Sequence, residues 1–232
     1  MKAVILAGGL GTRIVEETKS KPKPMIRIGD KPILWHIMKI YSTYGINDFV
    51  ICCGYKKEII EKYFKNFEES WDVKLVNTGL KTMTGGRLKK VEKLLHGETF
   101  CFTYGDTLSN VNIKKLIDFH LNRKRFSTVT ACHPPEKYGI LEINGNIVKK
   151  VEEKPPQKKW VNGGFFVLEP EIFDYIKDNS TSWEVEPMQN LSKDKQLSAY
   201  KHTGFYQPMD TVFDRNKLER MWKNNNALWK IW

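Results

Sequence analysis

The sequence predicts an α/β fold: a mostly parallel, doubly wound (Rossmann-like) sheet with antiparallel strands added late in the chain. Three observations predict it. Short β-branched runs alternate with amphipathic segments up to about Pro134, a glycine-rich loop follows the first strand, and a turn-rich, hairpin-like texture takes over beyond Pro134.

Ala3 to Leu6 reads as a strand and Ile33 to Tyr44 as a helix, followed by a strand at Phe49 to Cys53 and a helix through Tyr63. Val73 to Val76 is a strand, Gly86 to Leu95 a helix, Phe100 to Thr103 a strand, Ile113 to Asn122 a helix and Thr128 to Ala131 a strand. Such alternation implies right-handed crossovers and a parallel sheet covered on both faces. Later, Leu141 to Ile143, Val148 to Glu152 and Gly164 to Leu168 are short strands, and Asn144-Gly145-Asn146 marks a hairpin between the first two. This stretch is expected to add antiparallel strands to the sheet and to carry side chains over its C-terminal edge. Thr211 to Trp222 closes the chain as a helix with Leu218, Met221 and Trp222 on one face. One domain over 1–232 is expected, in three parts: 1–133, 134–210, and a C-terminal helix and tail at 211–232.

Composition narrows the function classes. The chain has 232 residues, 41% hydrophobic and 28% charged, which is ordinary for a globular protein and excludes disorder. The apolar run Ala3 to Ala7 is too short for a signal peptide or a membrane span. Cys52, Cys53, Cys101 and Cys132 lie in apolar runs without zinc or disulfide-framework spacing, and read as reduced thiols of a cytoplasmic protein. His36, His96, His120, His133 and His202 show no ligand spacing and read as surface or core residues. A net charge of +11 points to an anionic partner. Lysines interleaved with acids, as in Glu58 to Lys65 and Lys89 to Lys93, are the pattern of solvated helix faces, and argue against nucleic acid.

The most informative segment is Leu6-Ala7-Gly8-Gly9-Leu10-Gly11-Thr12-Arg13, directly after the first strand. Ligands of open α/β sheets bind outside the carboxyl ends of strands. Gly8, Gly9 and Gly11 let backbone N–H groups approach a phosphate, and Arg13 adds charge. A dinucleotide fingerprint would need glycine at position 14, which is Ile14, and a Walker loop would need Gly-Lys-Ser/Thr after Gly11; neither is present. A purely structural tight turn would not require all of these residues together. In Lys21-Pro22-Lys23-Pro24-Met25 the prolines are expected to forbid a helix and hold the chain extended, aiming Lys23 at a nucleotide phosphate. Standing alone, the segment would read as an exposed loop with solvated lysines.

The pair of segments Leu6 to Arg13 and Lys21 to Met25 resembles the signature of sugar-phosphate nucleotidyltransferases, and in detail that of the glucose-1-phosphate cytidylyltransferases among them. The likeness extends over essentially the whole chain, through Pro32-Ile-Leu-Trp-His-Ile-Met38, Ile51-Cys-Cys-Gly-Tyr55, Met83-Thr-Gly-Gly-Arg-Leu88, Asn162-Gly-Gly-Phe-Phe166 and Gln207-Pro-Met-Asp-Thr211. The Met83 to Leu88 run and the Trp229 ending resemble the cytidylyl branch specifically.

The resemblance implies a fold of the nucleotidyltransferase type, with nucleotide bound by 1–133 and acceptor by 134–210. Asp106, in Tyr104-Gly105-Asp106 after an apolar strand, and Asp210, before the last helix, resemble the pair that holds the catalytic cation. Mg2+ suits two carboxylates because phosphates and waters complete its shell. Taken singly, Asp106 could be a turn residue and Asp210 a helix N-cap. The nucleotide set implied by the family is Leu6, Ala7, Gly8, Gly9, Gly11, Thr12, Arg13, Lys23, Thr82, Arg87 and Gly105, with Lys23 and Arg13 stabilising the charged transition state. Arg87 read alone could be a surface helix residue. Glu153, Lys154 and Asn162 are implied for the acceptor.

The chain departs from the family between Phe64 and Val73, where it is shorter, and at Pro155 to Trp160 and His133 to Tyr138. The expected reaction is transfer of CMP from CTP to glucose 1-phosphate with release of pyrophosphate. Lys158 and Lys159 beside the acceptor region make a phosphorylated amino acid or polyol, in surface-polysaccharide precursor synthesis, the alternative acceptor. A non-catalytic nucleotide- or nucleic-acid-binding module is the rival of another class, but it would gain nothing from two aspartates at a phosphate. CTP and the acceptor are the expected partners, with no nucleic acid and no membrane; a homo-oligomer is compatible with this reading.

Overall fold

The computed structural model describes residues 1–232 except 66, 136–138 and 154–158. β1 (Lys2–Ala7) leads through a 3-10 turn (Thr12–Ile14) into a one-turn helix α1 (Val15–Thr18). A small antiparallel pair, β2 (Arg27–Ile28) and β3 (Lys31–Pro32), precedes α2 (Ile33–Thr43). Then come β4 (Asp48–Cys53) and α3 (Lys57–Lys65), β5 (Asp72–Asn77) and α4 (Thr84–Lys89), and β6 (Phe100–Tyr104), β7 (Thr107–Ser109) and α5 (Ile113–Arg123). The second half holds β8 (Ser127–Cys132), the hairpin strands β9 (Ile140–Asn144) and β10 (Ile147–Glu152), β11 (Val161–Asn162) and β12 (Phe166–Leu168). It ends with α6 (Glu186–Lys193), β13 (Leu197–His202), β14 (Tyr206–Pro208) and α7 (Val212–Lys223).

The main sheet runs β11-β8-β12-β6-β1-β4-β5, with β13 on the other edge of β8. β13, β8, β6, β1, β4 and β5 are mutually parallel, and β11 and β12 run against them. Alternation at period two divides each strand between two cores. Ala3, Ile5, Ala7, Phe49 and Ile51 pack on the face covered by α2 and α7, whereas Val4, Leu6, Val50 and Cys52 pack with Leu88, Phe166 and Trp183 on the other. Burial on both faces is why the central strands are almost continuously apolar.

The C-terminal tail is locked onto the first core. Trp229 is fully buried and its Nε1 donates to His36 Nδ1 at 3.3 Å, while His36 Nε2 lies 2.9 Å from the Ile28 carbonyl. His36 therefore accepts at Nδ1, donates from Nε2 and is neutral. Burial pulls its pKa down to about 4.

Several expectations are corrected. The hairpin β9–β10 forms its own two-stranded sheet, because both edges of β8 are already taken by β13 and by β11 with β12. Lys23–Met25 close a 3-10 turn where extended chain was expected: Pro22, just before the turn, is extended, and Met25 N donates to Pro22 O at 2.8 Å. Proline is tolerated in the first turn of a helix because the N–H it lacks has no intrahelical partner there. The helix expected over Gly86 to Leu95 starts at Thr84, ends at Lys89 and resumes as a separate 3-10 turn, Glu92–Leu94. Helix α6 and strand β13 were not anticipated.

Candidate active site

The C-terminal ends of β1 and β6, with the segment that follows β5, line a cavity of about 850 Å³, in the size range of small-molecule sites. Of the residues expected at the nucleotide and cation, Leu6, Ala7, Gly9, Gly11, Thr12, Arg13, Lys23, Thr82, Arg87, Gly105, Asp106 and Asp210 line it. Gly11 adopts φ +67°, and a Cβ there would come within 2.6 Å of Thr18 Cγ2, so both backbone and space require glycine.

The two aspartates are brought together by backbone pairing. β7 follows Asp106 directly, β14 precedes Met209-Asp210, and the two strands pair antiparallel with Thr107 opposite Pro208. Met209 N then donates to Asp106 O at 2.9 Å. Asp210 is not the cap of α7. Thr211 is, in a reciprocal capping box with Asp214, whose Oδ2 also accepts from Asp210 N. The Asp210 carboxylate is thereby free to face the cavity.

Lys23 lies between the two carboxylates, its Nζ 2.6 Å from Asp106 Oδ2 and 2.9 Å from Asp210 Oδ1. Arg13 Nη1 reaches Asp210 Oδ2 at 2.8 Å. Lys23 is only 7% exposed. Burial by itself would lower its pKa, but Asp106 and Asp210 outweigh burial and hold it above the ordinary lysine value. Lys23 is thus charged, and its ammonium shows that a cation fits between these two carboxylates. Hard oxygen donors on both sides fit a divalent ion of the magnesium class, which needs only one or two protein carboxylates. Among the described residues no group of three or more His, Cys, Asp or Glu could hold a metal.

Arg87 and Gly8 form a second unit. Arg87 is 4% exposed, and its Nη1 donates to Thr78 Oγ1 (2.6 Å), Gly79 O (2.8 Å) and Cys53 O (3.3 Å), while Nη2 donates to Gly8 O (2.9 Å). One guanidinium ties the loops after β1, β4 and β5 into a single rim. Gly8 does not line the cavity; a Cβ there would come within 2.0 Å of Arg87 Nη1. Thr82 lines the cavity and donates to Thr78 O at 2.6 Å.

Of the residues expected at the acceptor, Asn162, on β11, lines the cavity, and its Nδ2 donates to the Tyr104 hydroxyl at 3.2 Å. Glu153, just past β10, is not among the described lining residues, and Lys154 lies outside the described residues. Sequence reading missed Tyr104, Thr84, Glu184 and Tyr206, all of which line the cavity. Tyr104 was legible as the last residue before Gly105-Asp106. Glu184 carries no local signal, since it follows Trp183 in an irregular segment.

Among the described residues no helix is long and apolar enough to cross a membrane. The chain is 48% identical to a glucose-1-phosphate cytidylyltransferase of Salmonella typhimurium, across the full length of both, and 41% identical to a probable glucose-1-phosphate cytidylyltransferase of Bacillus subtilis, again across both chains. The first alignment occupies 256 positions against 232 residues here, so this chain is the shorter. A UTP-bound UGPase from Acinetobacter baumannii shares the fold, with a TM-score of 0.78 at 18% identity over 98% of this chain and 95% of that one. Residues 2–225 match the Nucleotidyl transferase family model, which spans the glycine loop, Lys23 and both aspartates, and the chain belongs to that family of enzymes.

Proposed function

We propose that this protein transfers CMP from CTP to glucose 1-phosphate and releases pyrophosphate. The observation that carries the reading is the contact of one buried lysine, Lys23, with both Asp106 and Asp210 at the foot of the glycine loop. A module that merely bound polyanions would have no use for two carboxylates there. The names carried by the relatives from Salmonella typhimurium and Bacillus subtilis support the cytidylyl donor and the sugar-phosphate acceptor.

An acceptor phosphate oxygen attacks the α-phosphorus of CTP while the bond to the departing pyrophosphate breaks, so the acceptor, already an anion, needs no general base. Amides of Gly9 and Gly11 hold the nucleotide phosphates, and Thr82 lies at the base slot. Arg87 acts through the rim it ties together. Lys23 and Arg13 neutralise charge on the transferring and leaving phosphates. Asp106 and Asp210 would hold Mg2+, which when bound supplies charge neutralisation across the phosphates.

Pyrophosphate release with glucose 1-phosphate across CTP, UTP, dTTP, ATP and GTP tests the reading. CTP should exceed each of the others by about tenfold or more in kcat/KM, since a polar slot left with unpaired groups rejects the wrong base. UTP or dTTP outrunning CTP would overturn the donor. Release with another small phosphate but none with glucose 1-phosphate would overturn the acceptor.

A further inference from the structure

The side of the cavity next to Asn162 contains a carboxylate that none of the roles above uses. Glu184, an exposed residue, lines the cavity. Its Oε2 accepts from the Thr84 hydroxyl at 2.6 Å, and the Tyr104 hydroxyl is near enough to feel its charge. Its neighbour Trp183 is fully buried, packs edge-on against Phe102 and Phe166, and donates its backbone N–H back to Thr84 Oγ1 at 2.9 Å. Thr84, Phe102 and Phe166 therefore anchor the segment that carries this charge. An anion lining a phosphate-binding cavity repels the ligand's phosphates, so its presence there calls for another partner on the ligand. A carboxylate has about four acceptor sites, and the Thr84 hydroxyl occupies only part of that capacity.

We infer that Glu184 is a specificity-determining residue for the acceptor, its carboxylate receiving hydrogen bonds from hydroxyl or ammonium groups that the acceptor carries beyond its phosphate. The inference rests on the proposed transfer to a phosphorylated acceptor. Position favours acceptor over nucleotide: Glu184 lies near Tyr104, whose hydroxyl accepts from Asn162 Nδ2 and which immediately precedes Gly105-Asp106. The charge has a consequence for selectivity. Neutral polyhydroxyl rings and ammonium-bearing acceptors are favoured at this end, and acceptors that present a carboxylate there are disfavoured.

The test is steady-state kinetics of Glu184→Ala and Glu184→Gln with CTP, glucose 1-phosphate and its 2-, 3-, 4- and 6-deoxy analogues. Glu184→Ala should raise KM for the acceptor about ten- to a hundredfold, the range of one or two hydrogen bonds to a charged group, with KM for CTP changed by less than about threefold. At least one deoxy analogue should be penalised in the wild type and no longer penalised in Glu184→Ala. Glu184→Gln keeps the shape and one acceptor oxygen, so it should fall between the two and preserve the readout if the alanine variant folds poorly. A loss confined to KM for CTP, or deoxy penalties identical in wild type and variant, would overturn the inference. If the wild type releases no pyrophosphate with glucose 1-phosphate, the proposed acceptor fails first. The same KM split, measured with ethanolamine phosphate or whichever phosphorylated acceptor does turn over, then decides Glu184 on its own.

Discussion

Lys23 Nζ stands 2.6 Å from Asp106 Oδ2, although 83 residues separate the two in the chain. The contact requires both the 3-10 turn at Lys23–Met25 and the β7–β14 pairing that places Asp210 beside Asp106. It joins the glycine-loop end of the protein to its last helix. Lys23 and Arg13 together neutralise the two carboxylates, so the cluster is held without a large excess of charge.

Lys23→Ala should lower kcat and kcat/KM together, by about a hundredfold or more, because it deletes a charge used chiefly in the transition state. A rise in KM with unchanged kcat would reduce Lys23 to a positioning role.

Asp106→Asn and Asp210→Asn should each remove most turnover in Mg2+ while leaving the circular dichroism spectrum unchanged and shifting Tm little. Neither carboxylate contributes to a hydrophobic core, and Lys23 keeps one ionic partner in each variant. Near-normal rates for either variant would rule out a two-carboxylate cation site.

The glycine loop, Lys23, Asp106 and Asp210 were legible because each is marked within a few residues of sequence: by glycines, by flanking prolines, or by the end of an apolar run. Their conformations were less legible. Two prolines do restrict Lys21 to Pro24, but they restrict it to φ values that a 3-10 turn also uses, so the extended reading was one of two permitted outcomes. The strands of the hairpin were found, but their place in the sheet depended on β13, whose mixed run Leu197 to His202 did not read as a parallel strand. Glu184 was invisible because nothing local announces a residue hydrogen-bonded to Thr84, 100 positions away.

Gly8→Ala should destabilise the protein by about 2 kcal/mol, in the range for overpacking a filled site. The added methyl would meet Arg87 Nη1 at 2.0 Å, and Arg87 cannot retreat without abandoning buried carbonyls on three loops. KM for the nucleotide should rise with it, since the same rim bounds the nucleotide cavity. Urea unfolding and nucleotide KM measured on one preparation check both; an unchanged midpoint would mean that Arg87 is free to move.

His36 gives a pH dependence of defined sign. Its folded pKa is lowered by burial to about 4 from 6.5, so the unfolded chain takes up a proton before the folded one does. This group's contribution is fully present above pH 6.5 and is lost as pH falls toward 4, in total about 3 kcal/mol at 1.36 kcal/mol per unit. Unfolding free energies measured from pH 7 to pH 4 should show this slope, and His36→Gln should flatten it. An identical slope in the variant would remove His36 as its source.

The proposed chemistry is cytidylyl transfer at the Lys23–Asp106–Asp210 cluster. Phosphorus-31 NMR of CTP, glucose 1-phosphate and Mg2+ with the protein tests it most directly. The wild type should consume both substrates and form pyrophosphate and a new CDP-linked diphosphate in equal amounts, whereas the variant carrying both Asp106→Asn and Asp210→Asn should leave the spectrum unchanged. Equal product from the double variant, or CTP hydrolysed with glucose 1-phosphate untouched, would contradict it.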